Sequence, residues 1–293
     1  MNKRRITTPG LILGLLLLLF AAPDAAAQLT GDTYATARQK GTAQVVFSYI
    51  ETPGFVGKDA GNKLNGLCID MMDAFVVWLK KNEGIELKPV YEGKDAKNFK
   101  AFMGNVKESQ GGVFGLGNIT ITEERQKAYD FSPPYITNVA ILITNKSVAT
   151  LENRNKIAAA FSGMEAVVVR GTTNEVRMTE LKKSQHPNLK FRYVSSSPEA
   201  LKLVAENENL FTNLDFTYYL QAIKDGLPVK RHPAGDESTE SFGIVMPRNS
   251  DWGPVMARFM KDFVSGSDYR KVVANNLGPN ALKLLDSVSS QQQ

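Results

Sequence analysis

A single arginine follows a short polar turn in the segment Gly117–Tyr135, and this placement suggests an anion-binding role. The segment reads GNITITEERQKAYDFSPPY, and Asn118 and Thr120 come directly after an apolar, glycine-rich strand pattern. Thr122 is placed to cap a helical turn carrying Arg125, which would direct the guanidinium back towards the strand end. Because a guanidinium binds a carboxylate bidentately, Arg125, Thr120 and Asn118 are candidate carboxylate contacts. Surface pairing of this arginine with a neighbouring acidic residue is the alternative.

A second anion-receptive position lies at a helix start in VVVRGTTNEV, residues 167–176. Thr172 and Glu175 have the spacing of a capping box, so a helix is predicted to begin at this turn. The first turn of a helix presents unsatisfied backbone N–H groups and a partial positive charge, which suit a carboxylate. Thr172 and Thr173 are therefore candidate ligand contacts, although both could serve only to cap their own helix.

An aspartate ends the strand pattern in NLFTNLDFTYYL, residues 209–220. Asp215 directly precedes an aromatic-rich helix pattern, where it could be an ordinary N-cap residue. Alternatively, its carboxylate faces the same crevice as Arg125 and accepts an ammonium group. An arginine and a helix terminus for a carboxylate, with an aspartate for an amine, together describe a receptor for an α-amino acid.

Strand and helix patterns alternate along the chain and would position these side chains. The apolar strand pattern AQVVFSYI, residues 43–50, precedes an amphipathic helix pattern, and the same order recurs towards the C-terminus. This alternation predicts an α/β fold with largely parallel sheets and right-handed crossovers. Open sheets of this kind bind ligands beyond the carboxyl ends of their strands, where Arg125, Thr172 and Asp215 all fall.

The N-terminus has the three parts of a secretory signal peptide. Lys3, Arg4 and Arg5 form a basic region, an apolar run covers residues 11–22, and residues 25–27 offer an Ala-x-Ala cleavage site. We therefore expect residues 1–27 to be removed and the mature protein to be periplasmic, with no stable membrane insertion. The formal net charge of +5 includes those three basic residues, so the mature chain carries only a mild surplus. Nucleic-acid binding is not expected.

Residue types that support nucleophilic or metal-dependent catalysis are scarce. His186 and His232 are far apart, each beside a proline, and are predicted to be surface loop residues without metal-ligand spacing. Cys68, the one cysteine, lies in an apolar helix pattern and is predicted to be a buried structural thiol. No phosphate-binding loop or nucleophile elbow is present. We therefore expect a protein that is not an enzyme and uses no cofactor or metal.

Several segments resemble, in the same order, the extracellular solute-binding proteins of family 3, the polar amino-acid receptors of ABC importers. The segment similar to the family signature is ITITEERQKAYDFSPPYITNVAILIT, residues 119–144. Further similar segments are GLCIDMMDAF, VVVRGTTNE, LFTNLDFTYYL, SFGIVMPRNSDW and GSDYRKVVANNLG. The resemblance covers nearly all of residues 43–285.

The resemblance implies the type II periplasmic-binding-protein fold. In that fold, two α/β lobes joined by two crossover hinge strands close on a ligand. Lobe 1 would comprise residues 28–140 and 243–293, and lobe 2 would comprise residues 141–242.

The resemblance also implies a role for each candidate contact. Arg125 and Thr120 would hold the ligand carboxylate from lobe 1, with Asn118 contributing backbone contacts beside them. From lobe 2, Thr173 with nearby backbone would hold the same carboxylate, and Asp215 would accept the amine.

The chain departs from the family pattern after its first strand, where it reads FSYIETPGF, residues 47–55. The acidic and aromatic positions of the family do not superpose on this segment. Phe47, Tyr49 or Phe55 would supply an aromatic wall for the ligand, and Glu51 would contact a ligand amine or nothing. The side chain of the ligand is therefore left open.

These patterns favour a receptor that captures an α-amino acid or a related small carboxylate for an ABC permease or a membrane-bound sensor. One alternative is a periplasmic dehydratase of a cyclic carboxylic acid, because the same fold hosts such enzymes. Glu51 or Asp215 would then be the general acid. A sensory or partner-binding lobe pair that has lost its small ligand is the third hypothesis.

Overall fold

A computed structural model describes residues 28–279 and 281–282, apart from the side chains of residues 238 and 239. The predicted signal peptide, residues 1–27, lies outside this range. Among the described residues, no helix is both long enough and apolar enough to cross a membrane.

Strands and helices alternate along the described chain, as the sequence predicts. The strands are β1 (Thr42–Tyr49), β2 (Gly57–Lys58), β3 (Leu64–Asn65), β4 (Glu86–Glu92), β5 (Val113–Leu116), β6 (Tyr129–Phe131), β7 (Ile136–Asn145), β8 (Glu165–Val169), β9 (Lys190–Val194), β10 (Leu210–Asp215), β11 (Val229–Arg231), β12 (Glu237–Phe242) and β13 (Val245–Pro247). The α-helices are α1 (Tyr34–Lys40), α2 (Leu67–Glu83), α3 (Phe99–Glu108), α4 (Glu123–Gln126), α5 (Ile157–Ala160), α6 (Thr173–Ser184), α7 (Ser197–Glu206), α8 (Phe216–Lys224), α9 (Gly253–Ser265) and α10 (Ser267–Leu277). Short 3₁₀ helices cover Arg154–Lys156 and Pro233–Gly235.

Two mixed sheets form the framework of the protein. The first sheet has the strand order β4-β1-β5-β13-β6, and the second has the order β11-β7-β10-β8-β9, with β12 also paired to β7. The pairs that β1 forms with β4 and β5, and that β8 forms with β9 and β10, are parallel. The prediction of largely parallel sheets is nevertheless wrong, because β7 and β13 pair antiparallel with their neighbours. These strands lie where the chain passes between the sheets and therefore enter them in the opposite direction.

The chain crosses between the two sheets twice. It passes from β6 in the first sheet to β7 in the second, and it returns from β12 to β13. β7 and β12 pair antiparallel with each other, and Asn138 stands directly opposite Glu240. Side chains of directly opposed residues project to the same face of a sheet, so these two polar groups lie together beside the crossings.

Separate apolar clusters pack on the two sheets. The long helix α2 places buried residues at helical spacing, among them Cys68, Met72, Phe75 and Leu79, against the first sheet. Cys68 is a buried free thiol, as the sequence predicts, and burial raises its pKa to about 12. The clusters on the second sheet are built largely from β7, β8, β10, α7 and α8. Each sheet therefore has its own core, which leaves the space between them available for a cavity.

The two histidines are buried, so the prediction that they lie in surface loops is wrong. His186 and His232 expose 7% and 0% of their surface. The Nδ1 atom of His232 accepts a hydrogen bond from the Leu151 N–H at 2.9 Å, so the ring proton sits on Nε2, which faces Thr144 Oγ1 at 2.7 Å. Burial lowers the pKa of His232 to about 4. A turn follows each histidine, closed by the Leu189 N–H on the His186 carbonyl and by the Gly235 N–H on the His232 carbonyl. The polar, proline-containing sequence of these turns resembles that of a surface loop, although the histidines themselves are buried.

Candidate functional site

A cavity of about 340 Å³ lies between the two sheets. Its walls come from residues that follow β1 and β5, from the start of α3, and from the ends of β8 and β10 with the helix starts that follow. This is the carboxyl end of the parallel strands, and the volume lies in the range of about 300–1,000 Å³ for small-molecule sites. Most candidate ligand contacts line it: Glu51, Asn118, Thr120, Arg125, Thr172, Thr173 and Asp215.

Arg125 is held against the cavity by its own helical turn. Its backbone N–H donates to Thr122 Oγ1 at 3.1 Å, which is the predicted cap. Its Nη1 donates to the Thr120 carbonyl at 2.9 Å and its Nη2 to the Gly171 carbonyl at 3.2 Å. The guanidinium carbon lies 5.1 Å from the centre of the Phe99 ring, and burial lowers the pKa of this arginine. A guanidinium has five N–H donors, so this fixed fork retains donors for an anion.

The start of α6 meets Arg125 across the cavity. Thr172 is the N-cap residue, but its hydroxyl donates to the Val169 carbonyl at 2.7 Å instead of capping the helix. The glutamate of the predicted capping box, Glu175, does accept a bond from the backbone of the preceding turn at 2.8 Å. Thr173 Oγ1 lies 3.4 Å from Thr120 Oγ1. The two positions that the sequence marks as anion-receptive are therefore adjacent in space.

Asp215 occupies the N-cap position of α8 without using its side chain as a cap. Its carboxylate accepts hydrogen bonds from the side-chain amides of Asn118 and of Asn138, the latter at 2.6 Å. Arg177 Nη2 lies 3.9 Å away. Burial raises the pKa of Asp215 to about 6; the nearby Glu240 carboxylate adds to this rise, and Arg177 opposes it. The carboxyl therefore changes charge around pH 6.

Several residues of this site were not predicted from the sequence, among them a polar group beside Asp215: Asn138, Arg177 and Glu240. Arg177 pairs with Glu240 and donates to Thr173 Oγ1 at 3.1 Å. Glu240 also accepts from the Asn138 amide at 2.9 Å. Arg177 stands four residues after Thr173 and so shares its helix face, which is the one local signal that marks it. Asn138 and Glu240 meet only through the pairing of β7 with β12.

The structure does not bring the proposed aromatic residues of the first segment to the cavity. Phe47 and Tyr49 are buried in the core on the first sheet, because residues two apart on β1 share the face that α2 covers. Phe55 is buried in the same core. Phe99 and Tyr218 are the aromatic side chains that line the cavity instead.

Glu51 lines the cavity next to a lysine. The Glu51 N–H donates to the Ala96 carbonyl at 2.7 Å, which places Lys97 beside it on the same wall. No group of three or more His, Cys, Asp or Glu side chains in the part of the chain that the structure describes is arranged to hold a metal ion.

The protein consists of two α/β units that are joined by two crossings, and a cavity with fixed charges of both signs lies between them. This is the type II periplasmic-binding-protein fold. The chain belongs to the bacterial extracellular solute-binding proteins, family 3, whose model matches residues 45–275. A search of curated proteins finds no match.

Solved structures share this architecture at low sequence identity. An ancestral arginine-binding protein bound to arginine is 22% identical with a TM-score of 0.64, covering 81% of this chain and 99% of its own. The arginine-, lysine-, histidine-binding protein ArtJ from Geobacillus stearothermophilus is 19% identical with a TM-score of 0.62, covering 80% and 95%. The ancestral amino acid-binding protein AncCDT-1, a precursor of cyclohexadienyl dehydratase, is 19% identical with a TM-score of 0.62, covering 82% and 96%. At these identities the likeness shows the fold.

Proposed function

We propose that this protein is a periplasmic receptor that captures an α-amino acid in the cavity between its two sheets. The observation that carries the proposal is that Arg125 and Asp215 line one cavity, each held by neighbouring side chains or backbone. Arg125, Thr120 and Thr173 would bind the ligand carboxylate, with further N–H groups from the start of α6. Asp215 would accept the ammonium group.

The strength of such binding would come from charge-assisted hydrogen bonds. Each one contributes a net of about 1.5–3 kcal/mol. Several of them together would be sufficient for a micromolar dissociation constant, which corresponds to about 8 kcal/mol. The binding proteins for arginine, lysine and histidine that share the fold support an amino acid as the ligand class.

The lobe boundaries belong to the same proposal. Residues 28–140 with 243–293 would move as one body and residues 141–242 as the other, with the hinge inside β7 and at the end of β12. Residues 1–27 would be cleaved on export. The closed, loaded form would be recognised by an ABC permease or by a membrane-bound sensor.

A dehydratase acting on a cyclic carboxylic acid is the second candidate function. Two observations favour it: the pKa of Asp215 is raised to about 6, and a precursor of cyclohexadienyl dehydratase shares the fold. A buried carboxyl with such a pKa is suited to general acid catalysis, and Glu51 is the other cavity carboxylate. Appearance of the absorbance of the aromatic product from a prephenate-like substrate, on addition of the protein, would establish turnover and exclude a pure receptor.

A thermal-shift screen tests the receptor function. The mature protein is unfolded and refolded to strip carried ligand, then heated with amino acids, small organic acids and a cyclic diacid. A ligand that binds only the folded state raises the melting temperature by mass action. We expect one class of α-amino acid to give a saturable rise.

Two arginine variants make this screen specific. In Arg125→Met the rise should be lost, whereas it should persist in Arg192→Met, which removes an exposed arginine paired with Glu165. No rise with any amino acid, or an equal rise in Arg125→Met, would contradict the receptor function. If no compound in the whole panel raises the melting temperature, a sensory or partner-binding role is favoured instead.

A further inference from the structure

The wall formed by Glu51 and Lys97 carries one negative and one positive side chain, and neither has a bonding partner within the part of the chain that the structure describes. Both residues line the cavity, and their backbones are joined by the bond from Glu51 N–H to the carbonyl of Ala96. Among the described residues, neither side chain forms a hydrogen bond or an ion pair. Glu51 is half-buried and Lys97 is exposed, so the pair stands at the rim.

The other charged side chains of the cavity are already engaged. Arg125 donates to two backbone carbonyls, and Asp215 accepts from two asparagine amides. Arg177 pairs with Glu240, which is not among the residues that line this cavity. A ligand side chain at the Glu51–Lys97 wall would therefore contact charged groups that are not paired with any other group of the described residues.

The wall from the second sheet, at the start of α7, carries no charge. It consists of Ser196, Ser197 and Pro198. The Ser196 hydroxyl is committed to the α7 cap, where it accepts from the Glu199 N–H at 3.4 Å. Charge selection of the ligand side chain thus falls to Glu51 and Lys97.

We infer that the ligand is an α-amino acid whose side chain ends in a neutral carboxamide, which donates to Glu51 and accepts from Lys97. This inference rests on the proposed function. A carboxamide carries both an acceptor oxygen and donor N–H groups, so it can bond both charged residues at once. A cationic side chain would be repelled by Lys97, and an anionic one by Glu51, and such like-charge contacts select against wrong partners. An apolar side chain would cover both charges without replacing their hydrogen bonds to water.

The test compares four amino acids of similar length: glutamine, glutamate, lysine and norleucine. Their dissociation constants are measured by calorimetry on the refolded mature protein at low ionic strength, where rim charges are least screened. We expect glutamine to bind most tightly of the four.

Two single variants should move the preference in opposite directions. Lys97→Met should raise the affinity for lysine relative to that for glutamine by about two- to fivefold, which is the range for a partly exposed charge pair. Glu51→Gln should raise the affinity for glutamate relative to that for glutamine by a similar factor. Lys94→Met, which removes another exposed lysine that does not line the cavity, is the matched control and should change neither ratio.

The outcomes separate this inference from the function on which it rests. The carboxamide preference is overturned if lysine, glutamate or norleucine binds more tightly than glutamine. It is also overturned if both variants leave the ratios of the dissociation constants unchanged. In either case the receptor function still stands. Failure of every α-amino acid in the wider screen to bind overturns both.

Discussion

At the scale of single residues, the group formed by Asp215, Glu240 and Arg177 sets the charge that a ligand meets. Two carboxylates share one guanidinium, so the group carries one net negative charge when both are ionised. Below about pH 6 a proton relieves this charge, because burial, with a smaller contribution from Glu240, raises the pKa of Asp215 to about 6. A ligand ammonium group would take the place of that proton.

Ligand affinity should therefore depend on pH around the pKa of Asp215. Because an ammonium group favours the ionised carboxylate, protons compete with the ligand as the pH falls through about 6. The dissociation constant should rise by up to about tenfold for each pH unit below that value, and binding near it should release a proton. Calorimetry between pH 5 and pH 8, in buffers of different ionisation enthalpy, measures both effects.

The variant Asp215→Asn provides the control for this pH dependence. It should bind the ligand more weakly and with an affinity that changes little between pH 5 and pH 7. A wild-type affinity that is constant over the same interval would show that Asp215 does not exchange a proton for the ligand.

Sequence patterns were informative for residues whose partners lie nearby in the chain. Thr122, Arg125 and Asp215 could be placed at strand and helix ends because capping and strand periodicity are local. The positions of Arg177 and Glu240 in the site could not be predicted, because their burial depends on the ion pair between helix α6 and strand β12, which are distant in the chain. An arginine inside a polar helix pattern is ordinarily a solvated residue, and only its tertiary partners distinguish it.

At the scale of elements, helix α3 depends on its first residues to support one cavity wall. Asn98 is its N-cap, and the side chain accepts from the Ala101 N–H at 3.1 Å. The next residue, Phe99, lies under the Arg125 guanidinium, and Lys97 precedes the cap. The cap therefore fixes the start of a helix whose first residue, Phe99, lines the cavity, and it also holds the backbone that carries Lys97.

Removing this cap should cost stability in a predictable way. Asn98→Ala should lower the free energy of unfolding by about 1 kcal/mol, whereas Asn98→Ser should stay close to wild type because serine is also a good N-cap. Urea unfolding followed by circular dichroism measures the difference. Equal stability of the alanine and serine variants would show that the side-chain bond does not hold the helix.

The order of strands and helices could be read from the sequence, but the directions of some strands could not. Periodicity identifies β1 and α2, and it does not state how β7 or β13 pairs. Phe47 and Tyr49 were expected near the ligand because the family pattern has aromatic positions after its first strand. The strand pattern of β1 does not reveal that α2 covers the face on which they lie.

At the scale of the whole molecule, the cavity is enclosed because side chains from the two halves touch across it. Arg125 reaches the carbonyl of Gly171, and Asn118 reaches Asp215. A ligand between these groups would be held from both sides, so its carboxylate end and its ammonium end should both be needed for tight binding. This two-ended recognition is the central claim.

Calorimetry with trimmed ligands tests that claim most directly. The amino acid identified by the thermal screen is compared with one analogue lacking its α-carboxylate and another lacking its α-amino group. Each analogue should bind about 10- to 100-fold more weakly, the range for a lost charge-assisted bond. Changing Arg125 to Met should then weaken the full ligand but not the analogue without the carboxylate. If the analogue without the amino group binds as tightly as the amino acid itself, Asp215 is not an ammonium site and the account is contradicted.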